Sequence, residues 1–157
     1  MTEKERFLGL FEWEVQTTTK VLKAYPPDKI DLKPHEKSRS AKELMKTFIA
    51  EGVAMLQICE GAVDWSSVHG PDLASAGELI TAFEGMMTQV ADKIKATPDD
   101  QLEMNMEWIG RQAPRVEALT SMLFDQVHHR GQMSVYIRLA GGLVPSIYGP
   151  SADEPMA

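Results

Sequence analysis

The sequence has few cysteines and no long apolar stretch, the features that disulfide-bonded, secreted and membrane proteins require. Cys59 is the only cysteine among 157 residues, so no disulfide can form within one chain, which suits a reducing compartment. It lies in an apolar helical pattern that favours a buried structural cysteine over a nucleophile. The N-terminus lacks the basic start and apolar run of a signal peptide, and no apolar stretch approaches the length of about 20 residues that spans a membrane. We therefore predict a cytoplasmic protein with no membrane partner.

Positive charge is also scarce. The chain has 16 lysines and arginines against 23 aspartates and glutamates, which gives a formal net charge of -7 and a pI near 5.1. Nucleic acids and anionic lipids are bound by clusters of Lys and Arg, and acidic groups outnumber those residues here. The composition opposes a nucleic-acid partner.

Helix signals dominate what the chain does contain. Its length is that of one domain, so we predict a single domain over residues 1–157. A Ser or Thr followed three residues later by Glu is a reciprocal cap that begins a helix. Such pairs occur at Thr2 with Glu5, Ser40 with Glu43, and Ser75 with Glu78. The first three helices are expected over about residues 2–23, 41–60 and 75–96, with the first burying Phe7, Leu10, Phe11, Val15 and Leu22.

A fourth long helix is predicted near the C-terminus, from Pro114 to Gly141-Gly142. Before it, the alternation of apolar residues over Asp99 to Gly110 is compatible with a short hairpin or with an irregular loop, and we assign it as a loop. The tail from Leu143 to Ala157 is expected to lie as irregular chain across one end of the helices. Without strands of consequence, the predicted fold class is all-α, with helix packed on helix.

The fourth helix carries a stripe that changes from apolar to polar. Residues three and four apart share a helix face, and one such face holds Ala118, Met122, Asp125, His129, Gln132 and Tyr136. Polar groups on a core-facing stripe need partners, because an unpaired buried polar group costs about 1–3 kcal/mol. Asp125 and His129 are spaced to bind the same metal ion, or to hydrogen-bond each other within the helix. Both interpretations stay open at this point.

A third metal ligand is available on the second helix. Thr47 and Glu51 lie one turn apart, on the side that faces inward if Leu44 and Phe48 do. Glu51 is therefore a candidate third ligand beside Asp125 and His129. A site with two carboxylates and one imidazole favours harder or first-row divalent ions over zinc.

Three further residues of the fourth helix suggest contacts outside the site. Gly131 in a helix interior costs about 1 kcal/mol relative to alanine, which indicates a tight helix crossing or a dimer contact. His128 and Arg130 project to either side of His129, and we predict them at a boundary or an interface.

At these residues the chain resembles the DinB/YfiT family of metal-dependent four-helix-bundle proteins. The signature is His128-His129-Arg130-Gly131-Gln132 followed by Tyr136-Ile137-Arg138, with Val144-Pro145 and Tyr148-Gly149-Pro150-Ser151 closing the chain. Asp31-Leu32-Lys33-Pro34 and Ser40-Ala41-Lys42-Glu43-Leu44 also fit. The resemblance covers nearly the whole chain and implies a DinB-like four-helix bundle with long crossover loops.

The resemblance also implies a ligand set. Members of the family commonly bind a divalent metal through three histidines, one on the second helix and two one turn apart on the fourth. The second of that pair matches His129, the first falls at Asp125, and the second-helix position falls at Thr47. Either Glu51 completes a carboxylate-rich site for Ni, Zn, Mn or Fe, which the sequence does not distinguish, or the pocket holds no metal.

The resemblance implies two functions. One is a metal-dependent transferase or isomerase that acts with a small thiol, with Asp125 and His129 as ligands and Gln132 or Tyr136 orienting the substrate. The other is a metal-free binding or structural homodimer that has lost the family's histidine ligands. The resemblance and the apolar, methionine-rich helices favour a homodimer. The ten methionines either line an adaptable apolar pocket for a small-molecule ligand or, as their helical spacing favours, fill the core.

Overall fold

The computed structural model describes residues 1–155 and contains four long helices, one short helix and one hairpin. A 3₁₀ helix at Pro27–Lys29 lies in the first crossover. The elements are α1 Glu3–Lys23, α2 Ala41–Glu60, α3 Ala76–Ala96, α4 Asp99–Glu103, β1 Asn105–Trp108, β2 Arg111–Pro114 and α5 Arg115–Leu139. No helix in the described part of the chain combines the length and apolar character needed to cross a bilayer.

The predicted helix starts are confirmed. Thr2, Ser40 and Ser75 each cap a long helix, and in each case the glutamate three residues later bonds back to the backbone of the cap. The helix α2 ends at Gly61, whose φ of 98° is left-handed and favours glycine. The site described below lies on α2 and α5, so these caps fix where α2 begins relative to its neighbours.

The four long helices form a closed ring in the order α1, α3, α2, α5. Each packs against two others and contributes an apolar stripe to one central core. The rings of Phe48 on α2 and Phe83 on α3, both fully buried, meet edge to face with centroids 6.0 Å apart. This arrangement confirms the all-α bundle with long crossovers, which are residues 24–40, 61–75 and 97–114.

The assignment of Asp99 to Gly110 as a loop was wrong. The segment begins with α4 and continues into β1, which pairs antiparallel with β2 through a turn at Ile109 and Gly110. Met106 and Trp108 of β1 point into the core while Asn105 and Glu107 are exposed. The alternation of apolar and polar residues in the sequence therefore came from a half-buried strand. The strands are short and leave the helical architecture unchanged.

The buried face of α5 includes Ala118, Met122, His129 and Tyr136 of the predicted stripe but extends to one side of it. It centres on Gln126, Arg130 and Met133, because α5 packs against both α1 and α2, and Asp125 and Gln132 lie at its exposed edge. Arg130, predicted at a boundary, is 1% exposed and forms an ion pair with Glu14 of α1, Nη1 to Oε2 2.6 Å. Its ion pair with Glu14 and its hydrogen bond to Thr18 offset the cost of burying the charge of Arg130.

One other packing prediction was wrong, and one of the two alternatives for Gly131 is not found within the chain. Leu10, predicted to face inward, is 38% exposed on α1. No atom lies within 4 Å of the point where a side chain on Gly131 would begin, so the chain's own packing provides no tight crossing there. The possible dimer contact at Gly131 is a separate prediction, taken up below.

The C-terminal tail is irregular, as predicted, and lies against α1 and α5. Lys20 Nζ lies 2.8 Å from Glu154 Oε2, and Arg138 Nη1 lies 2.6 Å from Asp153 Oδ2. The tail's Tyr148 donates its hydroxyl to Glu14, 2.8 Å from Oε1. Met156 and Ala157 of the predicted tail, and of the predicted domain, lie outside the described residues.

Candidate metal site between two helices

A buried pair of side chains joins α2 to α5. Glu51 is 3% exposed and His129 7% exposed, and Nδ1 of the imidazole lies 2.6 Å from Oε1 of the carboxylate. Glu51 faces inward because it follows Leu44 and Phe48 at helical spacing, and the bundle places α5 opposite that face. The pair lies 78 residues apart in sequence, so only the folded bundle creates it.

Asp125 completes a cluster of three with Glu51 and His129. Its Oδ1 lies 4.0 Å from His129 Nδ1, too far for a hydrogen bond, and half of its side chain is exposed. One ligand atom from each of the three residues lies within 4.8 Å of the others. The structure therefore brings together the three side chains that the sequence put forward as metal ligands.

One oxygen of the cluster has no partner. Oε2 of Glu51 is buried and accepts no hydrogen bond from any described residue. The pKa of Glu51 is raised to about 7, mainly because burial disfavours its charged form; His129 lowers the pKa and the charge of Asp125 raises it. A buried carboxylate with a free oxygen carries an uncompensated desolvation cost.

The proton on His129 is placed by its neighbours. Arg39 Nη1 lies 3.3 Å from His129 Nε2, and a guanidinium can only donate, so Nε2 accepts and Nδ1 carries the proton donated to Glu51. Burial lowers the pKa of His129, but the hydrogen bond and charge of Glu51 outweigh it, and the pKa is raised overall. Glu51 and His129 thus hold a proton between them.

These residues fit a divalent metal ion. An ion that replaces the proton on His129 Nδ1 would meet one imidazole nitrogen, the free Oε2 of Glu51 and the carboxylate of Asp125. Two hard oxygens and one borderline nitrogen suit a first-row ion such as Mn²⁺ or Fe²⁺. The orphaned oxygen is the feature that a metal would satisfy.

Two cavities meet at this cluster. The first, of about 350 Å³, is lined by the three candidate ligands and by others that include Thr47, Lys46, Trp65 and His69. The second, of about 520 Å³, is lined by Ser38, Arg39, His129, Gln132, Val135 and Tyr136. Arg39 and His129 line both, so they lie between the candidate metal ligands and the second cavity.

The remaining predicted site residues have partners within the chain. Thr47 lines the first cavity, but its hydroxyl donates to the carbonyl of Glu43, 3.0 Å away. Gln132 is exposed and its amide nitrogen lies 2.9 Å from Nε2 of His128. Tyr136 donates its hydroxyl to the carbonyl of Arg39, 2.8 Å away, and so anchors the chain just before α2.

Sequence reasoning missed the residues supplied by crossovers. Trp65 and His69 reach the first cavity from the crossover between α2 and α3. The ring of Trp65 packs against that of Trp108, with centroids 5.8 Å apart. The same crossover approaches α2 at Gly70, where a Cβ would collide with the carbonyl oxygen of Lys46. In the sequence, Gly70 beside His69 was the one sign that this crossover comes close to a helix. Nothing in the sequence around Arg39, which precedes the Ser40 cap, indicated that it lies at the site.

Comparison with protein families gives one match over almost the whole chain. The model described as the DinB family matches residues 1–156. A protein of Bacillus subtilis strain 168 named Uncharacterized protein YrdA is 45% identical over 56 residues, which are 36% of this chain and 34% of that protein. The match therefore spans about a third of the length of this relative.

Solved structures with the same fold include two DinB-like proteins. One from Bacillus cereus superposes with a TM-score of 0.80 at 22% identity, over 92% of this chain and 97% of that one. One from Bacillus subtilis superposes with a TM-score of 0.73 at 20% identity, over 87% and 92%. At these identities the likeness concerns the fold.

Proposed function

Since this chain belongs to the DinB family, we propose that it is a divalent-metal enzyme that uses Glu51, Asp125 and His129 as ligands. The proposed reaction is a group transfer or isomerisation that takes place with a small thiol bound beside the metal. The observation that carries the proposal is the free Oε2 of Glu51, a buried acceptor beside two further ligand groups.

The three proposed ligands differ in burial, which indicates different roles. Glu51 and His129 are packed into the bundle and are held by helices α2 and α5, which favours a rigid half of the site. Asp125 lies at the exposed edge and borders the first cavity, where a small molecule would arrive. A bound metal would supply Lewis acidity and lower the pKa of a thiol or water next to it.

Metal content tests the proposal. Protein purified without an affinity tag is analysed for metals beside His129→Ala and Asp125→Ala, before and after equilibration with Mn²⁺, Fe²⁺, Ni²⁺ and Zn²⁺. We expect close to one ion per chain in the wild type and loss in both variants. Failure of every ion to bind would refute the enzyme proposal and support the metal-free binding or structural protein.

We also propose that the chain forms a homodimer through α1 and α5. These two helices expose Leu10, Trp13, Phe124, Val135 and Leu139. Gly131, also exposed, lies between Phe124 and Val135 in α5 with open space above it. A second copy of α5 would approach closely there, which accounts for a glycine that the chain's own packing does not need.

Solution mass tests the homodimer. We expect twice the chain mass of 17.5 kDa for the wild type by analytical ultracentrifugation, and the chain mass for Phe124→Glu. The control is Ile109→Glu, which places the same charge on an apolar residue that is 74% exposed at the hairpin turn. A wild-type monomer at tens of micromolar would contradict the proposed interface.

The proposed cellular location is the cytoplasm. It is supported by Cys59, which is free and buried, and burial raises the pKa of its thiol.

A further inference from the structure

Arg39 is a cation without a carboxylate partner. Among residues 1–155, its guanidinium forms no ion pair within 4 Å, and its one side-chain hydrogen bond goes to the imidazole of His129. The nearby carboxylate of Glu43 is already bonded to the backbone N–H of Ser40 at 2.6 Å. Among the other arginines, Arg111, Arg130 and Arg138 each contact a carboxylate, whereas Arg6 and Arg115 form no ion pair among the described residues.

The backbone of Arg39 is fixed although its side chain is exposed. The carbonyl of Arg39 accepts from the hydroxyl of buried Tyr136, and the next residue, Ser40, caps α2. The guanidinium carries five N–H donors in a planar fork, and four of them have no acceptor in the described chain. This fork matches a carboxylate, which it binds with two parallel hydrogen bonds.

The guanidinium lies where a bound anion would also reach the metal site. Arg39 lines both cavities together with His129, so a molecule held at Arg39 in either cavity lies next to the candidate ligands. Each cavity falls within the range of about 300–1,000 Å³ that is usual for small-molecule pockets, so there is room for a small acid beside the candidate ligands.

The charge around the first cavity favours a singly charged anion. Glu43, Glu51 and Asp125 line it and would repel a phosphate dianion more strongly than a carboxylate. The other cation there, Lys46, already faces Asp72 at 3.4 Å. The single positive charge of Arg39 is therefore balanced by the single negative charge of one carboxylate group.

We infer that Arg39 determines substrate specificity by binding the carboxylate of a small acid whose reacting end lies at the Glu51, Asp125 and His129 site. This inference rests on the proposed metal function and names its substrate class. Arg39 would contact the substrate itself. A metal on Nδ1 would leave the imidazole proton on Nε2, which then could not accept from Arg39, so metal binding would free the guanidinium for the substrate.

The test compares two thiols that differ only in one end group. The cobalt-loaded protein is titrated with 3-mercaptopropionate and with 3-mercapto-1-propanol, and binding is read from the thiolate-to-cobalt charge-transfer absorption. We expect the acid to bind up to about fivefold tighter than the alcohol in the wild type, since solvent screens an ion pair with an exposed guanidinium.

Substitution of Arg39 isolates its contribution. In Arg39→Gln the preference should fall to within about twofold, while Arg39→Lys should keep part of it and Arg111→Gln all of it. Cobalt affinity is measured first in each variant, and all titrations are run at saturating cobalt, because Arg39 contacts the proposed ligand His129. An equal preference for the acid in wild type and Arg39→Gln, with cobalt bound, would overturn the role of Arg39.

A failure of the metal function is distinguishable from a failure of this inference. If no cobalt binds, the metal-free protein is titrated with propionate and 1-propanol, and the Nε–H signal of Arg39 is followed by NMR, assigned by its loss in Arg39→Lys. A shift with propionate alone supports the carboxylate site without the metal. No shift with either probe refutes it.

Discussion

Nδ1 of His129 lies 2.6 Å from Oε1 of Glu51, and this contact ties the middle of α5 to the middle of α2. It joins two titratable groups that are separate in the unfolded chain, so both change their proton affinity when the protein folds. The same contact brings the only buried histidine of the described chain to the only described carboxylate that has a buried, unbonded oxygen. Stability and metal affinity should therefore both depend on this pair.

The first prediction concerns pH and the metal-free protein. The pKa of Glu51 rises from 4.5 to about 7 on folding and that of His129 also rises, so the folded state binds protons more tightly. Stability from the pair is full at low pH and is lost as pH rises through 7, by at most about 3 kcal/mol for Glu51. Urea unfolding in EDTA at pH 5 and pH 8 should show this loss in the wild type and a smaller one in Glu51→Gln. Equal pH dependence in both proteins would contradict it.

The second prediction concerns the ion pair between Arg130 and Glu14. Both side chains are buried, so Glu14→Ala leaves a guanidinium without its carboxylate and should cost about 3–5 kcal/mol in urea unfolding. Removal of both charges in Glu14→Leu with Arg130→Met should restore most of that loss. The control is Glu117→Ala, which breaks the exposed pair with Arg111 and should cost under about 1 kcal/mol.

The third prediction concerns the attachment of the tail. A hydrogen bond from Lys20 and one from the backbone N–H of Ser146 lower the pKa of Glu154 to about 2. Its contribution to tail docking is present above pH 4.5 and is lost as pH falls through 2. The amide proton shift of Ser146 should titrate near pH 2 by NMR.

Two observations would check that assignment. Glu154→Gln should remove the titration at Ser146 and leave the one at Val144, whose N–H is bonded to Asp153 at 2.9 Å. A Ser146 midpoint near the ordinary glutamate pKa would show that the tail is not held as described.

The fourth prediction compares two glycines. Gly61 has φ of 98° and Arg115 packs where its side chain would begin, so Gly61→Ala should destabilise the fold by about 1–2 kcal/mol. Gly85 lies inside α3 with nothing within 4 Å, and Gly85→Ala should stabilise it by up to about 1 kcal/mol. Thermal unfolding should shift in opposite directions, and a common direction would refute this account.

The fold was predictable because local chemistry marks its boundaries. Each Ser or Thr cap with its glutamate began a helix where the spacing placed it, and Gly61 ended one. The hairpin was not predicted, since four-residue strands alternate too briefly to be separated from an irregular loop. Its identity depends on the burial of Met106 and Trp108, which only tertiary packing decides.

The candidate site was only partly predictable. Glu51, Asp125 and His129 follow from helical spacing, because spacing fixes which side chains share a face. Arg39, His69 and Trp65 lie on crossovers, whose paths depend on contacts distant in sequence. The burial of Arg130 was missed for a related reason, since its partner Glu14 lies on another helix, 116 residues away.

The contact between Trp65 and Trp108 gives the hairpin a connection to the first cavity in addition to the one through α5, into which β2 continues. Trp65 lines the first cavity, and Trp108 is fixed in the core by β1. A ligand that orders Trp65 in this position must stabilise the hairpin by the same free energy by which the hairpin strengthens its binding. Amide hydrogen exchange in β1 and β2 therefore reports on occupancy of a cavity that neither strand lines.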